Sequence, residues 1–412
     1  MSKYVVVVDG IPSPQNEDWL QKSYYLIEKL IYKKHQVELI IINRFSNYKQ
    51  KKILKFSSKS INLKKKIKIL FLKEKKKTFK EKFISLFSLN SLEHFNINQD
   101  MIVKVKHFLG NDSSKKVICF GPSTTLLISK ISYKFQKLIT FNGSLPQEVY
   151  KSQILNLIKT KIKFSFIFSI LLILIRFLKE TFFIKKIFRQ SSFIICFDEI
   201  VYQYLKKKKI NAFCFTNAVK NWLPKKISTI SKIKRNSDIL FIGGISTPNI
   251  NATLNFKKFI IPFIKINLKK LIFHQIRIVG AKSNLTKEIE SKKYSWINVT
   301  GWIDDISKEF CKNKLMIIPN DNVMYTRTRI YQAFSCGLPV LTHIANTKYD
   351  KKLIHNKNIL IAKNFKEFNQ LFLLALSGKV NLTKISKNSR DLFEKYYDIN
   401  KIIDKIYKLI NE

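Results

Sequence analysis

Short, unbroken apolar runs that stop on turn residues constrain this chain more than any other feature of it. Residues 4–8 stop at Asp9-Gly10, residues 117–120 at Gly121-Pro122, residues 138–141 at Asn142-Gly143, and residues 239–242 at Gly243-Gly244. A strand with one wet face alternates apolar and polar side chains. A run without alternation is covered on both faces, as in a parallel sheet flanked by helices. Between the first run and the next, residues 39–42, apolar residues recur at helical spacing from about 18 to 33, with Leu20, Tyr24, Ile27 and Leu30 on one side. Strand, helix, strand at that spacing starts a βαβ unit. The class expected is α/β, and 412 residues suffice for two domains with cores of their own.

The second half repeats the pattern around one dense segment, residues 323–343. Residues 315–318 form a buried strand that ends at Pro319-Asn320-Asp321. Arg327, Thr328 and Arg329 then open a short helix whose apolar face holds Ile330, Ala333 and Phe334. Gly337 sits where a helix stops in the left-handed conformation, Pro339 follows, and Val340-Leu341 begins another strand. Positive charge thus stands at a loop-to-helix junction beyond a strand's carboxyl end, where open α/β sheets bind ligands. A helix N-terminus flanked by two guanidiniums suits a diphosphate.

Those residues carry a resemblance. Arg327, Arg329, Gln332-Ala333 and Gly337-x-Pro339-Val340 resemble the donor-binding segment of family 4 glycosyltransferases, which have the GT-B fold. Upstream, Gly243-Gly244 with Pro248-Asn249, and Gly301-Trp302 with Asp304-Asp305, are similar to that family's first turns in its second domain. The chain departs at Val323 and Tyr325, where the family has glycines, and at Gln332, where it has a glutamate that holds the donor's ribose. The first half is similar more loosely, through His35-x-Val37 and Asn217-Ala218-Val219.

The resemblance implies two Rossmann-like parallel-sheet domains facing across a cleft: an acceptor domain over 1–220, a linker over 221–237, a nucleotide-sugar domain over 238–395, and a terminal helix over 396–412 returning to the first. It implies a retaining, metal-independent sugar transfer with no cofactor beyond the nucleotide-sugar donor. Gly243, Gly244, Arg327, Thr328 and Arg329 would meet the diphosphate and Gln332 the ribose. Gly10, Asn142 and Gly143 would lie on the side of a glycan or lipid-linked acceptor. No catalytic nucleophile is identifiable.

Composition adds a charge of +48, divided as +28 up to residue 220 and +20 beyond it. A nucleic-acid footprint concentrates on one face or element, so diffuse charge argues against such a partner. The five cysteines are scattered without a CxxC pair and the six histidines are dispersed, which fits buried thiols in a reducing cytosol and no metal cluster. Residues 164–175 carry no charge, but a spanning helix needs about 20 such residues. Lys159, Lys161, Lys163, Arg176, Lys179, Lys185 and Lys186 crowd the flanks. This segment reads either as a core helix or as one lying in the interface of an anionic membrane. The lysine-rich residues 46–90 read as a solvated face or as a second such patch. A cytoplasmic protein, peripheral on the inner face of the cell membrane, is the expected location. The rival readings are a non-catalytic or epimerase-like GT-B protein and a basic nucleic-acid-binding protein.

Overall fold

Every apolar run named above forms a strand, because each leaves water only when both of its faces are covered. A computed structural model describes residues 2–14, 19–43, 67–73, 90–131, 135–142, 150, 154, 165–224, 230, 233–243, 247–280, 289, 294–303, 305–322 and 327–412. The chain divides into two compact units, the first holding Met1–Tyr150, Phe164–Thr216 and Ile399–Glu412 and the second Lys151–Lys163 and Asn217–Asp398.

In the first unit the strands are β1 (Lys3–Asp9), β2 (Gln36–Asn43), β3 (Ile67–Lys73), β4 (Lys116–Phe120), β5 (Lys137–Asn142), β6 (Phe193–Cys196) and β7 (Ala212–Cys214). They form one parallel sheet in the order β3-β2-β1-β4-β5-β6-β7. Helices α1 (Trp19–Tyr32), α2 (Gln99–Leu109), α3 (Pro122–Ser129), α4 (Ser165–Phe188) and α5 (Glu199–Lys207) connect them. The order reverses between β1 and β4, so the crevice of this sheet opens beyond Asp9 and Phe120.

The second unit repeats the design with β8 (Ile239–Ile242), β9 (Ile276–Val279), β10 (Ile297–Gly301), β11 (Leu315–Ile318), β12 (Val340–His343) and β13 (Leu360–Ala362), parallel in the order β10-β9-β8-β11-β12-β13. Its helices are α6 (Thr247–Asn255), α7 (Ile261–Asn267), α8 (Ser307–Lys312), α9 (Thr328–Ser335), α10 (Phe365–Leu376) and α11 (Leu382–Tyr396). Here the reversal lies between β8 and β11. The α/β class and the pair of Rossmann-like parallel sheets expected from the sequence are the architecture observed.

Two further details concern the segment read as a linker and the terminal helix. Trp222 and Ile233, within the segment read as a linker, pack in the core of the second unit. There the Arg235 guanidinium donates to the carbonyls of Phe310, Cys311, Asn313 and Cys336. Helix α12 (Ile399–Asn411) packs within the first unit, burying Ile399, Ile402, Ile403, Ile406 and Ile410. Such burial contributes roughly 1.5–3 kcal/mol per side chain. Its polar edge is tied down as well, by Tyr4 to Asn411 and His35 to Tyr407.

Candidate functional site

At the reversal point of the second sheet, β8 ends on the buried Gly243, whose N–H donates to the Val279 carbonyl at 2.9 Å. Gly244 lies outside the described residues, and α6 starts three residues later at Thr247. Helix α9 enters beside it. Arg327 occupies its N-cap position with an extended backbone and supplies no side-chain cap. With no side-chain cap, the first turn of α9 leaves the positive end of the helix dipole at this junction.

Neutral oxygens meet both guanidiniums. Arg327 donates through Nε to Asn346 Oδ1 at 3.0 Å and through Nη2 to the Asn322 carbonyl at 3.4 Å. Asn346 is held in turn by its Nδ2, which donates to the Asn320 carbonyl at 2.7 Å and Thr342 Oγ1 at 3.0 Å. Arg329 donates from Nη1 to the Ile242 carbonyl at 3.3 Å, at the tip of β8. Among the described residues no carboxylate pairs with Arg327. Burial, and then the like charge of Arg329, pull its pKa down from 12.5 to about 9. A charged group held against such opposition would be stabilised by a nearby anion.

One turn into α9, Gln332 is buried, and its Oε1 has no hydrogen-bond partner among the described residues. A buried acceptor left unmade costs about 1–3 kcal/mol, which a ligand hydroxyl would remove. Thr328, at the first helical position, is partly exposed. The structure thus brings Gly243, Arg327, Thr328, Arg329 and Gln332 to one end of one sheet. Behind them, Tyr331 stacks on Tyr397 at 3.9 Å, and both hydroxyls donate to Asp350.

Sequence reasoning missed the asparagines that aim this site. Asn320, Asn322 and Asn346 are buried, as are Asn251 and Asn255, and Asn255 donates to Asp321 Oδ1 at 3.0 Å. Only the Pro319-Asn320-Asp321-Asn322 cluster gave a signal, and it reads equally well as a plain turn.

In the first unit, Gly10 and Asn142 stand at the carboxyl ends of β1 and β5; Gly143 lies outside the described residues. Gly10 has a φ of +113°, and a Cβ there would press on Leu20 Cδ1 at 3.1 Å, so the turn needs glycine. Lys22, buried in the first turn of α1, sits 4.7 Å from the centre of the Phe197 ring. No role for that lysine was legible, because a lone lysine on a helix reads as solvated.

Comparison with known proteins gives the following. Residues 236–376 match the family model described as Glycosyl transferases group 1. No curated protein sequence matches the chain. Among solved structures, HepE of Anabaena in complex with UDP and glucose is similar at a TM-score of 0.65 and 11% identity, with 100% of each chain covered. Sucrose-phosphate synthase of Thermosynechococcus elongatus is similar at 0.67 and 11%, over 100% of this chain and 98% of that one. TarM of S. aureus, in a complex with Fondaparinux, alpha-GlcNAc-glycerol and UDP, is similar at 0.67 and 13% over the whole of both. At these identities the structures show a shared fold.

Proposed function

We propose that this chain, a glycosyltransferase of the GT-B type, moves a sugar from a nucleotide-sugar donor held on its second unit to a glycan or lipid-linked acceptor received by its first. One observation carries the assignment of the donor site: two guanidiniums, aimed by neutral oxygens, flank an uncapped helix N-terminus beside a glycine at the switch point of the sheet.

As the glycosidic bond to the donor breaks, negative charge gathers on the departing diphosphate. Arg327, Arg329 and the positive end of the α9 dipole are already in place for it, so little reorganisation opposes the transition state. They do there what a metal ion would otherwise do. Gln332 accepts a hydrogen bond from a ribose hydroxyl and so completes its unpartnered oxygen. Its amide is neutral, and its hold is weaker than a carboxylate's would be. The reaction retains the anomeric configuration and serves cell-surface polysaccharide or glycolipid synthesis at the cytoplasmic face of the membrane. HepE and TarM were both crystallised with UDP, which makes UDP-sugars the first donors to try.

The test is thermal unfolding against UDP, GDP, ADP and CMP and their sugar derivatives. A ligand at about 100 times its dissociation constant adds roughly 2.7 kcal/mol, and one of the panel should raise the melting temperature accordingly. A folded sample that responds to none of them defeats the donor-site reading.

A further inference from the structure

We infer that α4 is a docking element that lies on the surface of an anionic lipid bilayer. The inference stands on this helix alone and does not depend on the donor site. Over residues 151–197 the sequence holds nine lysines and arginines and one acid, Glu180. That acid is turned away from the outside. It accepts the Tyr150 hydroxyl at 2.5 Å, and burial raises its pKa, which favours the uncharged form.

Helix α4 is buried on one side only. Phe183, Ile184, Ile187 and Phe188 enter the core of the first unit. On the opposite side Leu171, Leu174, Leu178 and Phe182 are 51%, 42%, 66% and 67% exposed. Their spacing of three, four and four residues places them in a single row, about 16 Å long at 1.5 Å per residue. The row does not end in more apolar surface. Past Phe182 the last turn carries Lys185 and the exposed Lys186, and the exposed Arg189 follows in the turn that ends the helix.

An apolar row of this length with lysines and an arginine at its carboxyl end has two requirements in an occupant: hydrocarbon to receive the leucines and the phenylalanine, and anions at the level of the lysines. A bilayer bearing acidic headgroups meets both, with the basic side chains extending along the surface to the phosphates. A second copy of the chain meets only the first. Pairing α4 with itself across a two-fold axis would set like charges against each other. Crossing is not at issue, since among the described residues no helix is long and apolar enough to span a membrane.

The test is co-sedimentation of the full chain with vesicles of phosphatidylcholine alone and of phosphatidylcholine containing about one third phosphatidylglycerol. Binding is expected with the acidic vesicles and not with the neutral ones, with partial release in high salt. The double substitution Leu178→Glu and Phe182→Glu should weaken it at least about tenfold. Both side chains point outward, so the thermal unfolding of the protein should not change, which separates lost docking from lost folding. Absence of binding, equal binding to both vesicle types, or wild-type binding by the stable double variant would each overturn the inference. So would sedimentation equilibrium showing a dimer that the double substitution dissociates.

Discussion

Arg327→Met separates the two roles an arginine at a helix entrance can play, and the structure sets the size of the effect. In the folded protein without ligand, burial and the neighbouring Arg329 lower the pKa of Arg327 from 12.5 to about 9. That drop corresponds to roughly 5 kcal/mol of opposition to the charged form. The effective dielectric of a protein interior reduces the figure to about 3 or 4 kcal/mol. Methionine fills the same space without the charge. It loses the bonds to Asn346 Oδ1 and the Asn322 carbonyl, about 1–1.5 kcal/mol each. The balance favours the variant by about 1 kcal/mol, or about 2–4 °C in the melting temperature of the second unit. The sign holds at neutral pH, where arginine is charged in both the folded and unfolded chain. Its opposition persists until pH climbs past the folded-state value near 9. The assay is differential scanning calorimetry with and without UDP. Expected are a slightly higher melting temperature without nucleotide and no further rise with it. A fall of more than about 4 °C without ligand would show that Arg327 holds the fold together, and the anion-site argument would fail.

Other changes probe separate parts of the chain. Arg329→Ala should lower kcat about 100-fold, the scale of one lost electrostatic donor, and Arg329→Lys should recover part of it; steady-state sugar transfer at the wild-type rate by the alanine variant would refute this. Gly337→Ala should destabilise the second unit by about 2–3 kcal/mol in denaturant titration, because φ is +60° there and a Cβ would lie 3.0 Å from Ile230 Cδ1 and Ser386 Oγ. His35 has a pKa lowered from 6.5, first by burial and then by the N-terminal and Lys116 charges, while its Nδ1 accepts the Ser2 N–H and its Nε2 meets the Tyr407 hydroxyl. The folded state therefore binds fewer protons, and stability present above pH 6.5 is lost as pH falls through the folded value. The protection of α12 amides against exchange, taken relative to their intrinsic rate at each pH, should fall below pH 6, and His35→Gln should flatten that dependence.

The strands were legible because burial on both faces leaves a mark that survives without tertiary knowledge. Residues 4–8 became the centre of Lys3–Asp9, and residues 315–318 became Leu315–Ile318 unchanged. The three residues of β13, Leu360–Ala362, form too short a run to stand out. The arginines of the donor segment were legible because they sit next to one another in sequence. Asn346, which aims Arg327, was not, since nineteen positions separate the two and an asparagine carries no period. Helix α4 divided the reading for a physical reason: hydropathy along the chain is the same whether an apolar side chain meets protein or lipid. Only the fold showed that its carboxyl half enters the core while Leu171, Leu174, Leu178 and Phe182 stay outside. The lysine-rich segment between β3 and α2 and its neighbour before β3 fall largely outside the described residues.

The placement of α12 has a consequence for how the protein comes into being. The first unit begins at the amino end of the chain, yet it closes only when Ile402, Ile406 and Ile410 reach α1 and when Asn411 reaches Tyr4. A ribosome adding about 5–20 residues per second needs on the order of 20–80 s to travel from β1 to residue 411. Throughout that interval the face of α1 that will receive α12 is bare, while the second unit, whose sheet and helices all lie within Asn217–Asp398, can complete itself first. The half of the molecule made earliest is therefore the last to mature. A released chain cut short before residue 399 would carry a finished second unit and an unfinished first one, a form suited to capture by chaperones that recognise exposed apolar surface.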